Sequence, residues 1–133
     1  MLLLLWSLLL VAGFLLARWL EPDPRLFGTH QKLGFPPCTF RTLFGLPCPG
    51  CGMTTSFACL VRGRISDASR ANIGGLLLAL VLALQIPWCW RSAYQGRLWH
   101  VAEPISAGIW LLSGLWLVCL INWLGQIYFL TQH

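Results

Sequence analysis

One stretch sets the organisation of this chain: residues 38–55, Cys38-Thr-Phe-Arg-Thr-Leu-Phe-Gly-Leu-Pro-Cys48-Pro-Gly-Cys51-Gly52-Met-Thr54-Thr55. It places three cysteines in a segment rich in proline and glycine, directly before a helical pattern. Two cysteines that are two residues apart can converge on one metal ion or on each other. Proline and glycine between them favour a tight turn. The stretch therefore predicts a cysteine-lined turn that leads into a helix.

Local sequence rules predict where that helix begins and ends. We expect Cys48 at the N-cap and Pro49 at the first helical position, because the missing N–H of proline has no partner there anyway. Gly52 would help to set the turn. The helix would continue to Arg62, and Gly63 is a natural residue to end it.

Three polar residues are expected to support the turn. Thr54 and Thr55 fall in the first turns of the predicted helix, where a hydroxyl can bond a carbonyl of the preceding turn or meet the loop. Asn72 stands ahead of the next apolar run, which makes it a helix cap. In a low-dielectric setting the same amide can supply hydrogen bonds to the loop backbone. We therefore expect Asn72 close to Cys48 and Cys51.

The composition is that of a membrane protein. Of the 133 residues, 57% are hydrophobic and only 10% are charged, and eight are tryptophan. Too few polar side chains are present to coat a water-facing surface. The net charge of +5 comes from scattered basic residues and not from a basic cluster. Such charges mark membrane topology and headgroup contact, so nucleic-acid binding is not expected.

We predict an all-α, polytopic membrane protein with three transmembrane helices and one membrane domain over residues 1–133. The expected segments are a transmembrane helix at 2–20, an irregular loop at 21–47, the CPxCG turn and a short helix at 48–62, and transmembrane helices at 73–90 and 105–124. Residues 42–61 carry no charge. Proline and glycine in their middle favour a re-entrant or interfacial element over a full span.

The first apolar run is expected to be an uncleaved anchor. A cleaved signal peptide would need a basic leader, a shorter apolar core and a cleavage site with small residues. The run from Leu2 to Leu20 is long, has no basic leader and ends in a poor cleavage site. We therefore expect a multi-pass protein of the cell inner membrane.

The cysteine stretch resembles a family of small bacterial membrane proteins, domain-of-unknown-function family 2752 (DUF2752). The resemblance covers roughly residues 38–90 and is carried by Cys38, Cys48, Pro49, Cys51, Gly52 and Thr54. Asn72 is similar to an asparagine of the family. Thr55 stands where the family usually has arginine, so a role that depends on that guanidinium is not carried over. The resemblance implies no established activity.

A metal site is the first interpretation of the cysteines. Cys-Pro-x-Cys-Gly has the form of a zinc knuckle, which supplies two ligands from one turn. With Cys38 as the third ligand, Cys38, Cys48 and Cys51 form the candidate metal set, and zinc is the candidate ion. The fourth ligand stays open among Cys59, His30 and His100. No other cofactor is expected.

Two further interpretations stay open. In a redox protein, Cys48 would attack and Cys51 would resolve, with the pKa of Cys48 lowered by the helix N-terminus. No thioredoxin-like strand pattern surrounds the motif, so whether the protein is an enzyme is open. In a purely structural scaffold, a disulfide from Cys38 to Cys48 or Cys51 would pin the loop, or free thiols would pack as small apolar groups.

The function predicted from the sequence is that of a membrane accessory or assembly factor with a cysteine metal site. The lipid bilayer is its expected partner, and another membrane protein is an open one. Basic residues sit preferentially on the cytoplasmic side. With three spans, most of them fall in the long loop: Arg18, Arg25, Lys32, Arg41, Arg62, Arg64 and Arg70. This predicts an external N-terminus and a cytoplasmic cysteine loop.

Cysteine labelling tests this orientation. A thiol reagent that cannot cross membranes should fail to label Cys38 in intact cells and should label it after the membrane is opened. Ready labelling of Cys38 in intact cells would show that the cysteine loop faces outward.

Overall fold

The computed structural model describes residues 1–97 and 102–132 and is all-helical over these residues. Its α-helices are α1 (Leu2–Trp19), α2 (Thr39–Phe44), α3 (Met53–Leu60), α4 (Ile65–Ala71), α5 (Ile73–Gln95) and α6 (Pro104–Thr131). A 3-10 helix, Thr29–Leu33, lies between α1 and α2. The predicted all-α fold is confirmed.

Three helices are long and apolar enough to cross a membrane, as predicted: α1, α5 and the Ile105–Thr131 portion of α6. The last two extend past the predicted ends at residues 90 and 124. Hydrophobicity underestimated their length because polar residues continue a helix as readily as apolar ones. Pro87 lies inside α5 without ending it.

The loop between α1 and the cysteine turn is more ordered than the sequence suggested. We expected residues 21–47 to be irregular, but they contain the 3-10 helix and α2. Gly28 and Gly34 flank the 3-10 helix and Gly45 ends α2, all three with positive φ angles. Helices of five or six residues are too short to show a periodic pattern. The polar connection after Gly63 likewise forms α4.

The spans pack around α5. Trp90 near the end of α5 donates a hydrogen bond to Ser7 near the start of α1, at 2.9 Å, so the two helices run antiparallel. On its other side α5 meets α6, where Gly74 leaves room for Cys119: a Cβ on this glycine would overlap the Cys119 sulfur. Small residues permit such close approach of membrane helices.

Arg62 joins the end of α1 to α3. Its Nη1 donates to the carbonyls of Ala17 at 3.2 Å and Ala58 at 2.9 Å, and its Nη2 donates to that of Arg18 at 2.6 Å. The last carbonyls of a helix have no partner within the helix. The guanidinium supplies those of α1 with charge-assisted donors, which are stronger than neutral ones. Arg62 therefore fixes the cysteine element against the first span.

Replacing Arg62 with alanine should destabilise the protein. Hydrogen bonds to charged groups contribute about 1.5–3 kcal/mol, so we expect Arg62→Ala to lower the free energy of unfolding by about 2 kcal/mol. Arg70→Ala, at an exposed position of α4, is the matched control and should change it by less than about 0.5 kcal/mol. Thermal unfolding in detergent measures both. Equal effects of the two substitutions would contradict the role of Arg62.

Candidate metal centre

The Cys48–Cys51 segment forms two successive turns ahead of α3. The amide of Cys51 donates to the carbonyl of Cys48 at 3.0 Å, and that of Met53 donates to Gly50 at 3.2 Å. The helix begins at Met53, so our placement of Cys48 at the N-cap and Pro49 at the first helical position is wrong. The N-cap is Gly52, whose φ of 81° is left-handed and interrupts the helical path.

Gly52 is also the point where the turn touches the rest of the protein. A Cβ at this position would overlap the backbone carbonyl of Ala71 and approach that of Leu26. Together with the positive φ, this close contact leaves no room for a side chain. The turn is thereby seated on the junction between α4 and α5.

The helix α3 ends at Leu60, two residues before the predicted end at Arg62, and Gly63 closes it as predicted. The amide of Arg64 donates to the carbonyl of Cys59 at 3.0 Å, and that of Gly63 donates to Leu60 at 2.9 Å. This pair of bonds, with Gly63 at a φ of 74°, is the Schellman arrangement that ends helices at glycine.

Cys38 reaches the turn from a separate element. It is the N-cap residue of α2, and the Thr42 hydroxyl donates to its carbonyl at 3.0 Å. The Sγ atoms of Cys38, Cys48 and Cys51 all lie within 4.8 Å of one another. All six cysteines of the chain fall in the described residues, and all are free thiols. We call Cys38, Cys48 and Cys51 the cysteine trio.

The fourth ligand that the sequence left open does not come from His30 or Cys59. Within residues 1–97 and 102–132 no histidine, carboxylate or further cysteine joins the trio. Cys59 is 1% exposed and packs with Ala68 and Leu76 instead. His100 lies outside the described residues. The trio thus offers three sulfur ligands, enough to hold a metal ion with one position left over.

The pKa values of Cys38 and Cys48 are shifted in opposite directions. The pKa of Cys38 is lowered, mainly by a hydrogen bond from the backbone N–H of Arg41, with further ones from the other two thiols. Burial raises the pKa of Cys48 to about 12, and hydrogen bonds with Cys51 and Cys38 act in the same direction. Our expectation of a lowered pKa at Cys48 is wrong: burial raises the pKa of this thiol, and the residue does not start a helix. Of these two thiols, Cys38 ionises first.

Asn72 makes the polar contact that the sequence predicts beneath the cysteine turn. Its Nδ2 donates to the carbonyls of Pro49 and Cys51, both at 3.1 Å. Its Oδ1 accepts from the amide of Gly75 at 2.9 Å and so caps α5. The side chain is 2% exposed. One buried amide therefore binds the cysteine turn and the start of a span together.

Three buried hydroxyls add hydrogen bonds around α3. Of these, the sequence analysis predicts a supporting role only for that of Thr55. The Thr55 hydroxyl hydrogen-bonds that of Thr29 at 2.7 Å, which ties α3 to the 3-10 helix. The Ser56 hydroxyl lies 2.9 Å from the carbonyl of Ala68 and 3.1 Å from that of Asn72. All three hydroxyl-bearing residues are fully buried. The roles of Thr29 and Ser56 are not predictable from the sequence, since single hydroxyls carry no spacing signal.

The last span also touches the cysteine segment. The indole N–H of Trp123 donates to the carbonyl of Pro47 at 2.6 Å. Its ring meets that of Phe40 edge-on, with centroids 6.2 Å apart. Phe40 and Pro47 lie beside Cys38 and Cys48 in the chain, so α6 contacts both segments that supply the trio.

Removing the Asn72 amide should loosen the cysteine turn. Leaving buried carbonyls unpaired costs about 1–3 kcal/mol, so Asn72→Leu should lower the free energy of unfolding by that amount although it adds apolar surface. Asn122→Leu on α6 is the matched control. Hydrogen exchange should rise at residues 48–53 in Asn72→Leu alone. Unchanged exchange there would show that Asn72 serves only as a helix cap.

Comparison with known proteins finds one family model that covers the cysteine segment. Residues 38–86 match the family model of DUF2752, described as a protein of unknown function. The chain matches no curated protein and no solved structure. The matched residues hold the whole trio, α3, α4 and Asn72. The resemblance to DUF2752 drawn from the sequence is therefore confirmed over residues 38–86.

Proposed function

We propose that this protein is a membrane accessory or assembly factor that binds a thiophilic metal ion, with zinc as the first candidate, through Cys38, Cys48 and Cys51. One observation carries the proposal: three free thiols from two separate segments lie within 4.8 Å of one another. Unpaired thiols brought together in this way are the ligands that zinc and other soft metals favour.

The spacing of the sulfurs fits a metal site. In a tetrahedral zinc site with Zn–S bonds of about 2.3 Å, neighbouring sulfurs lie roughly 3.8 Å apart. The trio needs only a small inward movement of its thiols to reach that spacing. Binding would displace the thiol protons, since only thiolates serve as ligands.

The groups around the trio suit a protein that holds a metal ion or transfers it to a partner. They suit a hydrolytic enzyme less well. Structural zinc sites close all four positions with protein ligands, whereas open sites keep one for a substrate or partner. In the described part of the chain the trio is joined by no carboxylate or histidine, the groups that most often serve as general acid or base. An open fourth position therefore suits a ligand from another protein, as an assembly role requires.

The membrane setting supports the same role. The trio lies in the segment between α1 and α5, two of the three helices that are able to span a membrane. We infer an inner-membrane location with the trio at the cytoplasmic face, from the basic residues of the long loop. At that face an ion could be received from, or delivered to, a partner without crossing the bilayer.

Metal content of the purified protein and its cysteine variants tests the proposal. Wild-type protein should carry about one ion per chain, and Cys38→Ser, Cys48→Ser and Cys51→Ser should each release it. Cys119→Ser on α6 is the matched control and should retain the ion. Two results would contradict the proposed ligand set. One is that all four variants retain the metal, and the other is that neither the wild type nor any variant contains it.

The redox alternative makes a different prediction for the same variants. With Cys48 attacking and Cys51 resolving, Cys51→Ser should trap a partner in a mixed disulfide, and Cys48→Ser should abolish that trapping. The proximity of the three thiols supports this alternative as well, whereas the raised pKa of Cys48 opposes its role as the attacking thiol. Trapped partners without bound metal would establish the redox function. If neither trapped partners nor bound metal are found, the structural scaffold is the interpretation that remains.

A further inference from the structure

We propose that a membrane phospholipid with an anionic headgroup binds in an apolar groove between α1 and α3, with its acyl chain in the groove and its headgroup at Arg18 and Lys32. The site is separate from the cysteine trio and does not depend on metal binding.

The groove has a volume of about 300 Å³. Its walls include Gly13 of α1 and the residue after this helix, Leu20. Phe57 of α3, Leu78 of α5 and Leu33 of the 3-10 helix also line it, with Thr54 as a polar side chain among them. This volume lies at the lower end of known ligand pockets. An apolar lining of this kind suits a hydrocarbon chain.

The depth of the groove points to a lipid as the occupant. Gly13 lies seven residues before Leu20 along α1, which is roughly 10 Å at a rise of 1.5 Å per residue. Leu33 belongs to the loop that follows the span. The groove therefore runs from the end of the span into the depth of the hydrocarbon region. Acyl chains are the apolar ligand that surrounds a membrane helix at that depth.

Basic residues lie next to lining residues in the chain where the groove meets the end of α1. Arg18 follows the lining residue Ala17, Lys32 precedes Leu33, and both are exposed. The guanidinium of Arg62 bonds the carbonyl of Ala17 nearby. Glu21 and Asp23 follow this end of α1. Asp23 forms an ion pair with Arg25 at 2.8 Å and is within electrostatic reach of Lys32.

These charges select the headgroup. Four cations, Arg18, Arg25, Lys32 and Arg62, against two carboxylates, Glu21 and Asp23, leave this end of the groove with a net positive charge. Arg62 has five N–H donors, and carbonyls take three of them, so donors remain for a phosphate. Basic pockets between membrane helices bind anionic headgroups. The charge therefore favours an anionic phospholipid over a zwitterionic one.

Gly13 has no side chain to fill the groove, so a substitution by a larger residue at this position can block it. A Cβ at this position would meet no heavy atom within 4 Å. A larger side chain can therefore enter the groove without displacing the protein. Gly108 of α6 has the same open surroundings and does not line the groove, which makes it the matched control.

Native mass spectrometry tests the site on protein taken from vesicles of equal phosphatidylglycerol and phosphatidylcholine. Wild-type protein and Gly108→Leu should retain phosphatidylglycerol in preference to phosphatidylcholine, and Gly13→Leu should lose the retained lipid. The double variant Arg18→Gln/Lys32→Gln keeps the groove intact. It should lower the preference for phosphatidylglycerol about fivefold per removed charge, whereas Arg97→Gln should leave it unchanged.

Three outcomes would overturn the proposal. Equal retention of the two lipids by the wild type would remove the headgroup selection. Undiminished lipid in Gly13→Leu, with thermal unfolding like that of Gly108→Leu, would place the lipid elsewhere. A change in oligomeric state on filling the groove, without a change in bound lipid, would assign the groove to a second copy of the chain.

Discussion

The buried amide of Asn72 is the contact on which the arrangement of this protein depends. It donates to the carbonyls of Pro49 and Cys51 and accepts from Gly75. A turn of irregular backbone that is buried away from water has few sources of hydrogen bonds, and an unpaired carbonyl there is costly. Asn72 meets this need and starts α5 with the same side chain. The cysteine turn and the central span are therefore fixed to each other.

Close backbone packing extends that single contact into a site. Gly52 brings the turn against Ala71, and Gly75 brings α5 against Met53. Once the turn is seated, Cys48 and Cys51 are fixed, and α2 needs only to present Cys38 from its N-cap. Trp123 of α6 hydrogen-bonds the residue before Cys48. The trio therefore lies where three parts of the chain meet.

Long apolar runs and the spacing of the cysteines made the three spans, the trio and the contact of Asn72 predictable. Periodicity cannot detect α2 and α4, which have six and seven residues. The helix start at Met53 depends on the left-handed Gly52, whose conformation is set by its contact with Ala71. The hydrogen bonds of Arg62 to α1 join residues more than 40 positions apart, and a single sequence has no pattern for them.

The central claim is that the chain assembles one site with three sulfur ligands. X-ray absorption spectroscopy of the metal-loaded protein measures the ligand set directly. The structure predicts three sulfurs, at about 2.3 Å if the ion is zinc, and a fourth ligand that is not sulfur. Four sulfurs would mean that another cysteine completes the site. Two or fewer would mean that Cys38 and the Cys48–Cys51 turn do not act on one ion, and would contradict the account.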